Sequence, residues 1–261
     1  MPHRETISLR FLSLSATRNI LVVLFSIELL LVVLDLSFSY ADILNNLALQ
    51  QLFNLAREGS LGSWFSSTQL LLTGAVLWLL FVRFLNDSST PVFKKYAWAL
   101  IALFFTFMAI DDAAAIHETI GSTYEDIVSN ADEAKDVMGG EILQSYPSYP
   151  WQVILGPVFL LMGLFIFIFI WAEVSLRSMR LLLIAALGCY AIAVGLDYVE
   201  GVYGGYKTII VTTGLDYDSV MHISKVIEEF LEMLGTTFFL VLFIKHLAMH
   251  TESIEFKFHK P

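Results

Sequence analysis

The sequence predicts an all-α, polytopic membrane bundle of six transmembrane helices with both termini in the cytoplasm. Three observations lead there. Of 261 residues, 57% are hydrophobic and only 15% are charged, whereas a soluble domain carries about 25% charged residues. Six apolar runs are each long enough to cross a hydrocarbon core of about 30 Å. Lys and Arg are also unevenly divided between alternate connections.

The chain reads as one transmembrane domain over residues 1–261. Arg4, Arg10 and Arg18 precede the first span, 19–40, and no small-residue cleavage site follows. That pattern is a retained first helix rather than a removed signal peptide. The later spans are 64–86, 95–118, 151–173, 180–201 and 222–247, each bounded by charge, Gly or Pro. One side then holds Arg4, Arg10, Arg18, Arg83, Lys94, Lys95, Arg177, Arg180, Lys245, Lys257 and Lys260. The other holds only Arg57, Lys135, Lys207 and Lys225. Positively charged loops stay in the cytoplasm, which sets the orientation, and the plasma membrane is the expected location. Trp64 and Trp151 fall at the outer interface and Trp98 and Trp171 at the inner one, as aromatic belts do.

Three connections lie outside. Residues 41–62 carry Ile43, Leu44, Leu47, Leu52, Phe53 and Leu55, the composition of an interfacial amphipathic helix. Residues 119–150 are acidic, with Glu125, Asp126, Asp132, Glu133, Asp136 and Glu141, and residues 202–217 are rich in Gly, Tyr and Thr. Long outer loops over an acidic layer could act as a lid, and their plainer reading is solvated surface. The single cysteine, Cys189, excludes an internal disulfide or a Cys-based metal site. No basic patch points to nucleic acid. Membrane lipid is the expected surrounding partner, and a protein partner or homo-oligomer is compatible with the composition.

The informative feature is a layer of acids. Counting about 1.5 Å per residue from each cytoplasmic anchor puts Asp35, Asp111, Asp197 and Glu229 about 24 to 25 Å deep. Asp112, Glu200, Glu228 and Glu232 neighbour them, while His117, Glu118 and His222 form a second layer about 10 Å further out. Asp111 and Glu118 are i,i+7, as are His222 and Glu229; Glu229 and Glu232 are i,i+3 and share a face. Helices 2 and 4 bring no acid, so they are expected at the periphery. Ala113, Ala114 and Ala115 are expected to let a neighbouring backbone approach closely. Glu28, near mid-membrane, is expected to be protonated and hydrogen-bonded within the bundle. A carboxylate at a bilayer centre costs roughly 2.5–3.5 kcal/mol even on the mildest scale, so the layer needs a cation, shared protons or pairing. With Lys225 near the mouth as the one nearby cation, a bound metal or shared protons are favoured over salt bridging.

Two of these segments and the entry to the second span resemble a group of uncharacterised bacterial multi-pass membrane proteins. The matching stretches are Asp111-Asp112-Ala113-Ala114-Ala115-Ile116-His117-Glu118, Glu228-Glu229-Phe230-Leu231-Glu232-Met233-Leu234-Gly235 and Trp64-Phe65-Ser66-Ser67. The resemblance covers helices 2, 3 and 6; helix 5, with its GLDYVEG stretch, departs from the pattern. It implies a six-span fold with an acidic site and supplies no activity.

Three functions fit. The first is a divalent metal site of Asp111, Asp112, His117, Glu118, Asp197, Glu200, His222, Glu228, Glu229 and Glu232. Its donors suit Fe, Mn or Zn, and it could serve an enzyme acting on lipid or a small amphiphile. It lacks a Glu-x-x-His pair and an H-E-x-x-H motif. The second is a cation- or proton-coupled transporter, against which stand the apolar runs beneath the acids. The third is an accessory or sensor subunit in which the acids only pair.

Overall fold

Backbone polar groups have no water to bond in a hydrocarbon layer, so apolar runs of this length fold as helices. The computed structural model describes residues 5–10, 14–130, 139–251 and 253–258. Arg4, Asp132, Glu133, Lys135, Asp136 and Lys260, counted above by charge, lie outside the described residues. Among the described residues, five helices are long and apolar enough to cross a membrane. They are α1 (Leu14–Leu34, extended to Tyr40 by a π-helical turn), α3 (Leu61–Leu85), α4 (Val92–Ala114), α8 (Gly156–Glu173) and α9 (Arg177–Gly201). The sixth apolar run forms the 34-residue α11 (Tyr217–His250).

Short helices connect them at the end where the acids lie. These are α2 (Leu47–Phe53), α5 (Ile116–Asn130), α6 (Gly140–Ser145), α7 (Pro150–Ile154) and α10 (Lys207–Thr213). Asn46 caps α2 by accepting the backbone N–H groups of Ala48 and Leu49, which supports the interfacial helix expected there. Its Leu47 and Leu52, with Ile43 and Leu44 before it, are exposed.

The all-α expectation needs one addition. Strands β1 (Glu5–Arg10) and β2 (Ser253–Phe258) pair antiparallel, with Glu5 opposite Phe258 and Arg10 opposite Ser253. Apolar residues there recur every second position, the period of a strand and not of a helix. The pairing holds both ends of the chain on one side of the bundle.

α11 is the axis, with α9, α3 and α1 packed directly on it and α4 packed on α3. Its half nearer the C-terminus enters a core with Trp98, Ile101 and Phe105 of α4, Leu77 and Leu80 of α3, Ile170 of α8 and Leu183 of α9. Trp98 is fully buried, stacked on Phe84 at 5.7 Å and on His246 at 5.1 Å. Among the described residues, the buried apolar side chains of the other half form a small cluster of Leu31, Leu55, Val226 and Met233.

Helix 4 of the sequence reading, α8, is peripheral as expected, with Leu160, Leu161 and Ile168 exposed. Helix 2, α3, is not. It buries Gly62, Ser66, Gln69, Leu70, Thr73, Gly74, Leu77, Leu80 and Phe84, a stripe with helical spacing. Small, neutral polar and apolar side chains make that stripe, so a search for acids passes over it. Helices in lipid associate through close packing and hydrogen bonds rather than a hydrophobic driving force, and this stripe provides both.

Gly235 shows how tight the central contact is. A Cβ there would lie 3.0 Å from two Tyr190 ring carbons and 3.2 Å from the Ala186 carbonyl oxygen. Gly235→Val should therefore destabilise the protein by about 1–3 kcal/mol, read by denaturant unfolding in detergent. Gly188→Ala, where a Cβ meets nothing within 4 Å, should be neutral or stabilising by about 1 kcal/mol.

Candidate functional site

The acids lie in the half of the bundle that has little apolar core, and most have acquired a partner. α4 does not run on to residue 118. It stops at Ala115, which adopts a left-handed conformation (φ 45°, ψ 46°), at a cost of roughly 1–2 kcal/mol for a non-glycine residue. Buried Asp111 holds the turn. Its Oδ1 accepts the His117 backbone N–H at 2.8 Å, and its Oδ2 lies 2.8 Å from His117 Nδ1. The carboxylate thus caps α5 and orients the imidazole, whose ring meets Trp151 edge-on at 5.0 Å. The expected i,i+7 face of Asp111 and Glu118 is lost with the continuous helix, and Glu118 is exposed at the rim. The alanines also serve a different purpose: Ala113 and Ala114 are exposed, and Ala115 is the bend.

A second Asp–His pair forms between α1 and α11. Asp35 opens the π-helical turn and is fully buried; its Oδ2 lies 2.7 Å from His222 Nε2, and its Oδ1 accepts the Leu55 N–H at 3.0 Å. Tyr40 stacks on the His222 ring at 5.3 Å and donates its hydroxyl to Ser219 Oγ at 2.8 Å. The two histidines therefore bond directly to acids of the deeper layer instead of forming a separate shell above it.

Lys225 makes the salt bridging that the sequence ranks below a bound metal or shared protons. Its Nζ lies 2.9 Å from Glu228 Oε1 and 3.9 Å from both Asp197 Oδ1 and Glu200 Oε2. Asp197 also accepts from Gln152 Nε2 at 2.7 Å, and Glu200 accepts the Tyr149 hydroxyl at 2.9 Å.

Asp112, Glu229 and Glu232 remain. Asp112 Oδ1 has a long contact of 3.4 Å from Ser66 Oγ, and its Oδ2 is buried with no hydrogen-bond partner among the described residues. Glu229 and Glu232 are half-buried, and their charges act on each other and on Asp112. Lys225 acts on both, and His117 on Glu232, but neither is within ion-pairing distance of them. Among the described residues, no three His, Cys, Asp or Glu side chains stand together as a ready-made metal cluster.

Several members of the site were not found from the sequence. Glu58 lies near Glu118 and His117; partial desolvation, then repulsion from Glu118 and Asp111, raise its pKa. Desolvation and the bond to Glu200 raise that of the Tyr149 phenol. Tyr149 belongs to the outer connection 119–150 and Trp151 and Gln152 to the start of the fourth expected span, and only a preference of carboxylates for such donors could have flagged Tyr149 and Gln152. Glu28 accepts from Gln69 Nε2 at 3.0 Å and from Thr237 Oγ1 at 2.5 Å, the bundle hydrogen bonding expected of it.

Burial works against charge on His117, but its bond to Asp111, with the charges of Asp111, Glu118 and Glu232, outweighs that and raises its pKa. A raised imidazole pKa stabilises the fold fully below the ordinary value of about 6.5. The contribution fades as pH climbs through the raised value. Asp111→Asn should lower the His117 pKa in an NMR titration and flatten the decline of melting temperature above neutral pH. An unshifted titration would show that the dyad does not hold the imidazole proton.

A family model described as "Domain of unknown function (DUF8692)" matches residues 20–246. The match begins in α1 and ends in α11, taking in the whole candidate site and leaving out both strands. No curated protein and no solved structure matches the chain.

Proposed function

We propose that this chain, which belongs to the DUF8692 family of unknown function, is a six-span plasma-membrane protein whose outward-facing chamber binds a divalent cation. The topology rests on the charge asymmetry of the loops, and the paired ends of the chain agree with termini on one side. α11 is the sixth span.

One observation carries the cation reading. Asp112, Glu229 and Glu232 are half-buried carboxylates whose charges act on one another with no ion-pair partner among the described residues, while Lys225, the lysine that acts on Glu229 and Glu232, is bonded to Glu228. A bound cation offsets their repulsion and desolvation, and all-oxygen donors with a nearby imidazole suit Fe, Mn or Zn. The Asp111–His117 pair supports it, since a carboxylate on one ring nitrogen orients a ligating histidine and leaves Nε2 for the metal. The ligand set is thus narrower than the sequence suggests: Asp112, Glu229 and Glu232 with His117. Asp197, Glu200 and Glu228 group around Lys225, and of the two imidazoles it is His117 whose charge reaches Glu232.

The inner half of the bundle favours a binding chamber over a transport path. Beneath Glu232 the polar groups narrow to Thr236 with Tyr190 and Thr237 with Glu28. Below them Phe105, Phe239 and Phe243 stack against one another at 5.2–5.8 Å.

Elemental analysis of protein purified without chelator tests the reading. Wild type should carry a stoichiometric divalent metal, and Glu229→Gln/Glu232→Gln should lose it while remaining folded. Saturating metal at 100 times Kd should add about 2.7 kcal/mol to wild-type stability. Metal-free wild type whose melting ignores Mn, Fe and Zn would refute the cation site.

A further inference from the structure

We infer that the cleft between α10 and the facing ends of α9 and α11 binds the headgroup of a phospholipid bearing a primary amine. The cavity is about 710 Å³ and is lined by Glu200, Tyr203, Lys207, Ile210, Val211 and Tyr217, among others. That volume falls within the range of small-molecule sites, about 300–1,000 Å³. The inference goes beyond the cation reading and shares with it only the outward orientation.

The charges define the ligand. Lys207 is exposed, and its ammonium has no ion-pair or hydrogen-bond partner among the described residues, so it is free to meet a phosphate. Glu200 is one donor short. Its Oε1 takes the Tyr149 hydroxyl, but Oε2 is buried without a hydrogen bond, since Lys225 Nζ at 3.9 Å pairs with it by charge and is too far to donate. A buried acceptor left unmade is costly, and an N–H donor relieves it where a trimethylammonium group cannot. One cation and one carboxylate in a single cleft match a phosphate and a primary ammonium in one headgroup.

The rim indicates a lipid rather than a soluble phospho-amine. On α10, Val211 is 76% exposed and Ile209 45%, and nearby Tyr203 is fully exposed. Thr212 and Thr213 turn their hydroxyls back to the carbonyls of Thr208 and Ile209. The short helix thus keeps its polar groups to itself and offers apolar side chains outward, as an element at a membrane interface does. Acyl chains cover that surface while the headgroup enters the cleft.

The test uses full-length protein in nanodiscs of mixed phosphatidylethanolamine, phosphatidylcholine and phosphatidylglycerol, with retained lipid counted by native mass spectrometry. Wild type should enrich phosphatidylethanolamine over phosphatidylcholine about tenfold, equivalent to 1.4 kcal/mol. Lys207→Glu should abolish the enrichment. Glu200→Gln, which keeps an acceptor for Tyr149, should retain lipid but lose the preference for ethanolamine over choline. Circular dichroism and melting confirm that each variant is folded, and Tyr217→Ala replaces any that is not. Retained lipid that mirrors the bilayer, or an unaffected Lys207→Glu, overturns the inference. So does displacement of the lipid by soluble phosphoethanolamine, which makes the ligand a free one. Metal content read on the same samples separates the two proposals: lipid selectivity without metal removes only the cation site.

Discussion

A carboxylate placed in an apolar layer must meet a donor or lose its charge, and that demand organises half of this molecule. Asp35 is answered by His222 and the Leu55 N–H, Asp111 by the ring and backbone of His117, and Asp197, Glu200 and Glu228 together by Lys225. Each answer joins separate elements. The first ties α1 to α11 and to the segment after α2; the second bends α4 into α5; the third gathers α9 toward α11. Asp112, Glu229 and Glu232 have no such answer, and the functional reading rests on those three.

The bundle is divided along α11. Toward the C-terminus its faces meet a packed aromatic core around Trp98, and toward the N-terminus they meet acids and their donors. Thr236, Thr237, Tyr190, Gln69 and Glu28 mark the boundary, a ring of hydrogen bonds among α1, α3, α9 and α11. Such bonds hold helices together where lipid removes the hydrophobic drive to associate. A dense floor beneath a polar chamber suits a site approached from one side.

The connecting segments form part of that chamber. Tyr149 and Gln152 donate to Glu200 and Asp197, Trp151 packs on His117, and Leu55 donates to Asp35. Gly121 allows this closeness: a Cβ there would stand 2.8 Å from the Trp151 nitrogen. Outer connections and the start of the fourth expected span thus supply donors and wall. Carboxylates held by neutral donors keep their place without the full desolvation cost of a buried ion pair.

Hydropathy alone marked the long helices to within a few residues, because span length is set by bilayer thickness and needs no partner. The acid positions were equally plain, since a charge in an apolar run stands out wherever the helix goes. Pairing was not legible. His117 and Asp111 are six residues apart, a separation that puts them on different faces of a straight helix, and only the bend at Ala115 joins them. Lys225 read as a residue of the mouth until the packing of α9 on α11 brought Asp197 and Glu200 to it. The inward stripe of α3 was hidden because Gly, Ser, Thr and Gln are ordinary in either environment. Sequence records each side chain's cost of transfer into lipid; which donor offsets that cost depends on distances between helices, and those exist only in the folded chain.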